Sequence, residues 1–264
     1  MCRLLGFVAR KPVVVAQLLE GVYQSFIKVS QLHSDGWGLA WYNESDHLQL
    51  SKEPGAAHAS KEFAHLAQGI RTDALISHVR WATPGFSLCL ENTHPFIHDR
   101  MAFAHNGAIA PSEKLETFIA RHLQSEILGM TDSERYFLGL LSQIEKAPPI
   151  EAFRTHLRTI HQQLQSSSLN CLLLSPQALY AVCDFDPNAP LAQREPDYFH
   201  LQYQIRPDAV IVGSTGLNQD GDWQSLRSGQ MLVVERGTLD VTIVDVSNNT
   251  RTSIQEQYKS ILQR

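Results

Sequence analysis

Short apolar runs and stretches of helical spacing alternate along this chain, and between them they predict most of its elements. Arg3 to Ala9 is apolar and brief, is bounded by Lys11-Pro12, and predicts a buried strand. From Pro12 onward, Val15, Leu18, Leu19, Val22 and Phe26 recur at helical spacing, with Pro12 suited to a first turn. His33-Ser34-Asp35-Gly36-Trp37-Gly38 reads as a turn cluster leading into a strand at Leu39-Ala40-Trp41-Tyr42. The glycines flanking Trp37 imply that the backbone passes close to another group. Leu48-Gln49-Leu50 alternates and predicts a hairpin partner for that strand, and Ser60 to Ile70 predicts a short helix. Ala74 to Ala82 predicts a strand in which Ile76, His78 and Arg80 share one face while Leu75, Ser77, Val79 and Trp81 share the other. Thr83-Pro84-Gly85 ends it. A further strand, Met101 to His105, runs into the turn Asn106-Gly107, where glycine lets a substrate approach the backbone N–H.

Helices are predicted next, over Glu113–Leu123, Asp132–Glu145 and Ile150–Leu164. Tyr136, Phe137, Leu140, Leu141 and Ile144 form the apolar stripe of the second. The pattern then returns to strands at Leu169–Leu174, Leu179–Phe185, Phe199–Ile205, Ala209–Ser214, Met231–Glu235 and Leu239–Val246. Strands, then helices, then strands argue for a layered α+β protein rather than a parallel doubly wound one. No repeat or low-complexity linker breaks the pattern, so residues 1–264 are expected to form one domain, with Asp186–Glu195 as a mobile loop.

Composition narrows the class. The chain has 264 residues, of which 43% are hydrophobic and 19% charged, as in an ordinary globular protein with a sizeable core. A net charge of −5 leaves no basic footprint for nucleic acid or an anionic membrane. No apolar run reaches the roughly 18 residues of a membrane span, and the N-terminal run is too short for a secretory signal. Cys2, Cys89, Cys171 and Cys183 have neither CxxC nor zinc-finger spacing. Cys171 and Cys183 lie in apolar runs as small buried hydrophobes. A reducing cytoplasm is expected, although the count alone leaves disulfides open.

The candidate chemistry begins at Cys2. Removing Met1 would leave a thiol and a free α-amino group on one residue, a nucleophile with its own base. Such an amine titrates near 7.7–8.0 and a thiol near about 8.5, so the amine can take the thiol proton, through a water, without help from a histidine. Asn106 and Gly107 offer a side-chain and a backbone donor for an oxyanion, or else make an ordinary Asn-Gly turn. Arg80 offers a bidentate fork for a carboxylate, or is simply an exposed strand arginine. Asp132 can hold a substrate ammonium. Thr131-x-x-Glu134 also reads as a capping box that puts Asp132 in a first helical turn, and the two readings are compatible. His94 and His98 are spaced as zinc ligands on a helix, but Pro95 argues against a helix and no third ligand is evident. Neither metal nor other cofactor is expected. Gly213-Ser214-Thr215-Gly216 is too short for a phosphate loop.

Taken together, Met1-Cys-Arg-Leu-Leu-Gly, His33-Ser-Asp-Gly-Trp-Gly, His78-Val-Arg-Trp-Ala-Thr, Asn92-Thr-His-Pro-Phe, Ala104-His-Asn-Gly and Thr131-Asp-Ser-Glu resemble the class II glutamine amidotransferases, which are N-terminal-nucleophile hydrolases. The resemblance implies a four-layer α/β/β/α sandwich with two antiparallel sheets. It implies Cys2 as nucleophile, Asn106 and Gly107 as oxyanion hole, Arg80 and Thr83 at the substrate α-carboxylate with Trp81 beside them, and Asp132 at the α-amino group. One departure is Pro84, where glucosamine-6-phosphate synthases carry histidine. With no length left for a second catalytic domain, the chain is similar to stand-alone members such as the γ-glutamyl hydrolase of ergothioneine biosynthesis and the fungal glutathione-degradation subunit. The implied substrate is a small γ-glutamyl amide. No nucleic acid or membrane partner is expected, and a protein partner or homo-oligomer is compatible. The alternative reading is a glutaminase-like subunit with little activity away from its partner.

Overall fold

The structure, a computed structural model, describes residues 2–82, 85–217 and 221–246, and the backbone of 251–253. In chain order it begins with β1 (Arg3–Val14), α1 (Val15–Leu18), α2 (Glu20–Val29), β2 (Gly36–Tyr42), β3 (Leu48–Glu53), α3 (Lys61–Gly69) and β4 (Arg71–Arg80). The middle of the chain gives β5 (Phe96–His98), β6 (Met101–Asn106), β7 (Ile109–Ala110), α4 (Asp132–Ile144), α5 (Pro149–Gln163) and β8 (Gln165–Ser166). The rest gives β9 (Asn170–Leu174), β10 (Ala178–Cys183), α6 (Pro190–Arg194), β11 (Leu201–Ile205), β12 (Ala209–Ser214), β13 (Gln224–Ser225), β14 (Gln230–Glu235), β15 (Val241–Asp245) and β16 (Arg251–Ser253).

The strands form two seven-stranded antiparallel sheets, ordered β13-β11-β12-β1-β4-β2-β3 and β16-β15-β14-β10-β9-β6-β5, while β7 and β8 make a small ribbon. Alternation along each strand sorts its residues between layers. Leu4, Val8, Ala74, Ile76, Ala102, Ala104, Leu172 and Leu174 pack between the sheets. Leu5, Phe7, Leu75 and Val79 face α1–α3 on one outer side. Phe103, Cys171 and Leu173 face α4 and α5 on the other. The result is the α/β/β/α order, in which the Leu, Val, Ile and Phe side chains are each worth roughly 1.5–3 kcal/mol on full burial. It aims His78 and Arg80, which continue the Ala74–Ile76 face, and Asn106, which continues the Ala102–Ala104 face, into the space between the sheets.

Several boundaries depart from the sequence pattern. β1 does not stop at Ala9: after an irregularity spanning Pro12, Val13 and Val14 pair with Thr72 and Arg71, so the helix starts at Val15. Proline, lacking an N–H, sits in that irregular stretch where no ladder bond is needed. β2 begins at Gly36 rather than Leu39, because Gly36, Trp37 and Gly38 already pair with Arg80, Val79 and His78. In place of a helix over 113–123 there are two 3₁₀ segments, Ser112–Phe118 and Arg121–Glu126. Between them the Ala120 N–H donates to Ser142 Oγ at 2.8 Å instead of continuing a helix. The stretch 186–195, expected as a mobile loop, carries α6 and packs Ala189 and Ala192 against Tyr198 and Phe199.

Candidate active site

Cys2 enters β1, the middle strand of its sheet, where Arg3 pairs with Val79 and Leu4 with His78. That register brings Cys2 to the Arg80 end of β4, with Sγ 3.9 Å from the Trp81 carbonyl oxygen. The neighbouring backbone is fixed from the other side, since Leu4 N–H donates to Ser214 Oγ at 3.0 Å and Tyr198 Oη–H donates to the Cys2 carbonyl at 3.4 Å. The Arg3 guanidinium lies 3.9 Å above the Tyr198 ring. Burial pushes the Cys2 thiol up; Arg80 pulls it down and Asp132 adds to the rise. The thiol therefore senses both charged residues singled out from the sequence.

Arg80 is buried at 3% exposure, so the exposed-arginine alternative does not hold. Its Nη1 reaches the Ser87 carbonyl at 3.5 Å, a contact too long to occupy the guanidinium fully. The segment after it is braced by residues the sequence reading left without roles. Asp35 Oδ2 accepts the Ala82 N–H at 2.8 Å, and the Asp35 N–H donates to the Arg80 carbonyl at 3.0 Å. Asn92 donates to Ser87 O and Oγ, each at 3.1 Å, and accepts the Met130 N–H at 2.8 Å. Both sit inside family-like motifs, His33-Ser-Asp-Gly-Trp-Gly and Asn92-Thr-His-Pro-Phe, and that was the available signal. Gly38 meets the expectation of close approach, because a Cβ there would lie 2.2 Å from the His94 carbonyl oxygen. Trp81 is 46% exposed and edge-on to His33. Thr83 and Pro84 lie outside the described residues, as does Met1.

Asn106 ends β6 fully buried, and neither Nδ2 nor Oδ1 has a hydrogen-bond partner among the described residues. Such a group costs about 1–3 kcal/mol unless something else engages it. Gly107 follows where no other residue fits: a Cβ would stand 2.0 Å from Ser168 O. Asp132 opens α4 and grips the next turn, its Oδ2 accepting the Ile109 N–H at 2.7 Å and its Oδ1 the Ser133 N–H at 2.9 Å. Thr131 caps α4 by accepting the Glu134 N–H at 3.2 Å. The reciprocal half of the capping box is absent among the described residues. Glu134 instead accepts Leu128 N–H at 3.0 Å and Gly129 N–H at 2.8 Å, closing the loop before the helix. Arg80 and Asp132 both act electrostatically on the Cys2 thiol, and Asp132 is tied to the segment after Asn106-Gly107 through the Ile109 N–H.

The remaining candidates fall elsewhere. All four cysteines are free thiols, with Cys171 and Cys183 buried as small hydrophobes. His94 is buried against His78, and His98 belongs to an extended strand, so the two do not share a helix face. No group of three or more His, Cys, Asp or Glu is arranged for a metal among the described residues. No helix of the described residues is long and apolar enough to cross a membrane.

Residues 1–259 match the family of class-II glutamine amidotransferases. An uncharacterized protein of Methanocaldococcus jannaschii is 30% identical over 267 residues, covering 90% of this chain and 70% of its own. The glutamine–fructose-6-phosphate aminotransferase of Bartonella henselae is 24% identical over 266 residues, which span 94% of this chain but 37% of that enzyme. Among solved structures, a glutamine aminotransferase class-II domain protein from Silicibacter pomeroyi superimposes with a TM-score of 0.67 at 21% identity, over 92% of this chain and 99% of that one. The glutamine phosphoribosylpyrophosphate amidotransferase of B. subtilis gives a TM-score of 0.62 at 18% identity, over 94% of this chain and 50% of that one, and shares the same fold. With the match running through nearly the whole sequence, the chain belongs to the class-II glutamine amidotransferases and is an amidohydrolase or amidotransferase enzyme.

Proposed function

We propose that this chain hydrolyses the side-chain amide of glutamine, or of another γ-glutamyl compound, through a thioester on Cys2 after Met1 has been removed. The observation that carries the reading is the buried Asn106 amide, unpartnered among the described residues, at the end of a strand that faces the space between the sheets as Arg80 does. A buried amide with no protein partner among the described residues has its N–H available to an oxyanion that forms there.

In this mechanism the Cys2 α-amine takes the thiol proton and Sγ attacks the substrate carbonyl carbon. The C=O electrons move onto oxygen, and Asn106 Nδ2–H and Gly107 N–H donate to that oxyanion. The tetrahedral adduct collapses, the C–N bond breaks, and the ammonium of Cys2 returns its proton to the departing amine, leaving a thioester. Water then attacks, the α-amine takes its proton, the C–S bond breaks, and glutamate leaves with the thiol restored. Arg80, with Thr83, pairs with the substrate α-carboxylate, and Trp81 covers it. Asp132 pairs with the α-ammonium; each of its oxygens has spent one lone pair on a backbone N–H and keeps another.

The Met1-Cys-Arg and Asp35-Gly-Trp-Gly motifs favour the γ-glutamyl hydrolases as its type. Four unpaired cysteines suit a reducing compartment such as the cytoplasm. The test is a panel of γ-glutamyl amides and glutamine assayed for glutamate release by the purified chain. Cys2-dependent release supports the reading; release that persists in Cys2→Ala overturns it.

A further inference from the structure

Two buried histidines stand behind Asn106 and take no part in the chemistry above. His78 belongs to β4 in one sheet and reaches across to β6 in the other, its Nε2 3.2 Å from the His105 carbonyl oxygen. That oxygen belongs to the peptide group leading into Asn106. His105 points the opposite way, toward α4. Its Nε2 is 3.0 Å from the Ser168 carbonyl oxygen and its Nδ1 is 2.9 Å from Ser133 Oγ. Ser168 O is the same atom that a Cβ on Gly107 would strike, so this carbonyl is the floor under Gly107.

A carbonyl oxygen can only accept, so both Nε2 atoms carry hydrogen. In the neutral ring His105 Nδ1 is then an acceptor, and Ser133 Oγ–H donates to it. The bare Nδ1 of His78 finds no partner among the described residues, as this tautomer allows. The surroundings keep both rings neutral. His78 is fully buried, stacked at 4.2 Å on His94 and close to the Arg80 cation, and burial holds its pKa low. His105 is 1% exposed and edge-on to Tyr136 at 5.2 Å; burial lowers its pKa against the opposing pull of Asp132.

We infer that His78 and His105 are positioning residues for the oxyanion donors: His78 fixes the peptide before Asn106 and His105 fixes the surface on which Gly107 rests. The inference depends on the thioester reading. The same contact also ties the strand bearing Arg80 to the strand bearing Asn106, so substrate carboxylate and oxyanion sites are held in one frame. Preorganised donors contribute in the transition state and little in the ground state, so the loss falls on kcat.

The experiment compares His78→Phe, His78→Gln, His105→Phe and His105→Gln with wild type, by steady-state glutamate release from glutamine and by thermal unfolding. Phenylalanine keeps the ring and removes the donor; glutamine returns an amide N–H near the Nε2 position. The Phe variants should lower kcat about 10- to 100-fold with KM changed about threefold or less, and the Gln variants should recover most of it. Ser133→Ala, a gentler change that releases the His105 ring, should lower kcat in the same direction and serves where a Phe variant does not fold. Variants that unfold earlier yet keep wild-type kcat, or Gln variants no better than Phe, overturn the inference. Failure of the reading beneath it looks different: wild type itself would release no glutamate, or would do so without Cys2.

Discussion

Replacing Asn106 with alanine separates stability from catalysis in a way that few buried substitutions do. The side chain is fully buried, and its two polar atoms have no partner among the described residues. Deleting them relieves a desolvation penalty of about 1–3 kcal/mol. Against this, the space left by three heavy atoms costs on the order of 1 kcal/mol at about 24 cal/mol per Å³ of cavity. The two contributions oppose each other, so Asn106→Ala should unfold in urea within about 1 kcal/mol of wild type. Its catalytic loss should be far larger, about 10²–10³ in kcat with a smaller change in KM, equivalent to about 2.7–4 kcal/mol of transition-state stabilisation. Urea unfolding followed by fluorescence gives the first number and steady-state glutamate release the second. A variant with wild-type kcat would place the oxyanion donors elsewhere. A variant that loses several kcal/mol of stability would mean that Asn106 is a packing residue after all.

Gly107→Ala should harm both properties, since its Cβ would stand 2.0 Å from Ser168 O and the backbone must move. The expected cost is about 1–3 kcal/mol in unfolding together with a fall in kcat, and an unchanged melting curve would show that the loop yields freely. Asp132→Ala should chiefly raise KM for glutamine, because the α-ammonium looks the same in ground and transition states; normal kinetics with a lower melting temperature would leave Asp132 only its backbone contacts with Ile109 and Ser133. His156, buried against Tyr136, is held down at about 4 by burial, against an ordinary 6.5. The unfolded chain binds the proton more readily, so its contribution to stability is full above pH 6.5, falls by roughly 2 kcal/mol by pH 5, and levels off below the folded pKa. His156→Gln should flatten that part of the urea-midpoint profile, and an unaltered slope would show that other groups cause the acid loss.

The fold was legible where pattern and layer agree. The face shared by Ile76, His78 and Arg80 follows from alternation alone, and it is the face turned between the sheets. The hairpin of Leu39–Tyr42 with Leu48–Leu50 and the stripe of α4 were legible for the same reason. What stayed hidden depends on partners distant in sequence. β1 continues through Pro12 because Thr72 and Arg71 wait on β4, and no local propensity encodes that. The helix predicted over 113–123 is broken by one hydrogen bond to Ser142 on another element. Of the candidate site residues, Cys2, Arg80 and Asp132 could be singled out from their chemistry, since nucleophiles and charges are visible as residue types. Asp35, Asn92, His78 and His105 act on backbone groups, and a residue type does not say whose N–H or carbonyl it will meet. Glu134 shows the limit of a motif: the capping-box spacing is present, but its carboxylate serves Leu128 and Gly129.

The central claim is that Cys2 acts as an N-terminal nucleophile, and mass spectrometry tests it most directly. Active enzyme is treated with an electrophilic glutamine analogue and examined both intact and after digestion. The account predicts a protein one methionine lighter than the encoded chain, bearing a single adduct on Cys2, with Cys89, Cys171 and Cys183 unlabelled and activity lost in step with labelling. An adduct on another cysteine, or full activity in protein that still carries Met1, would contradict it.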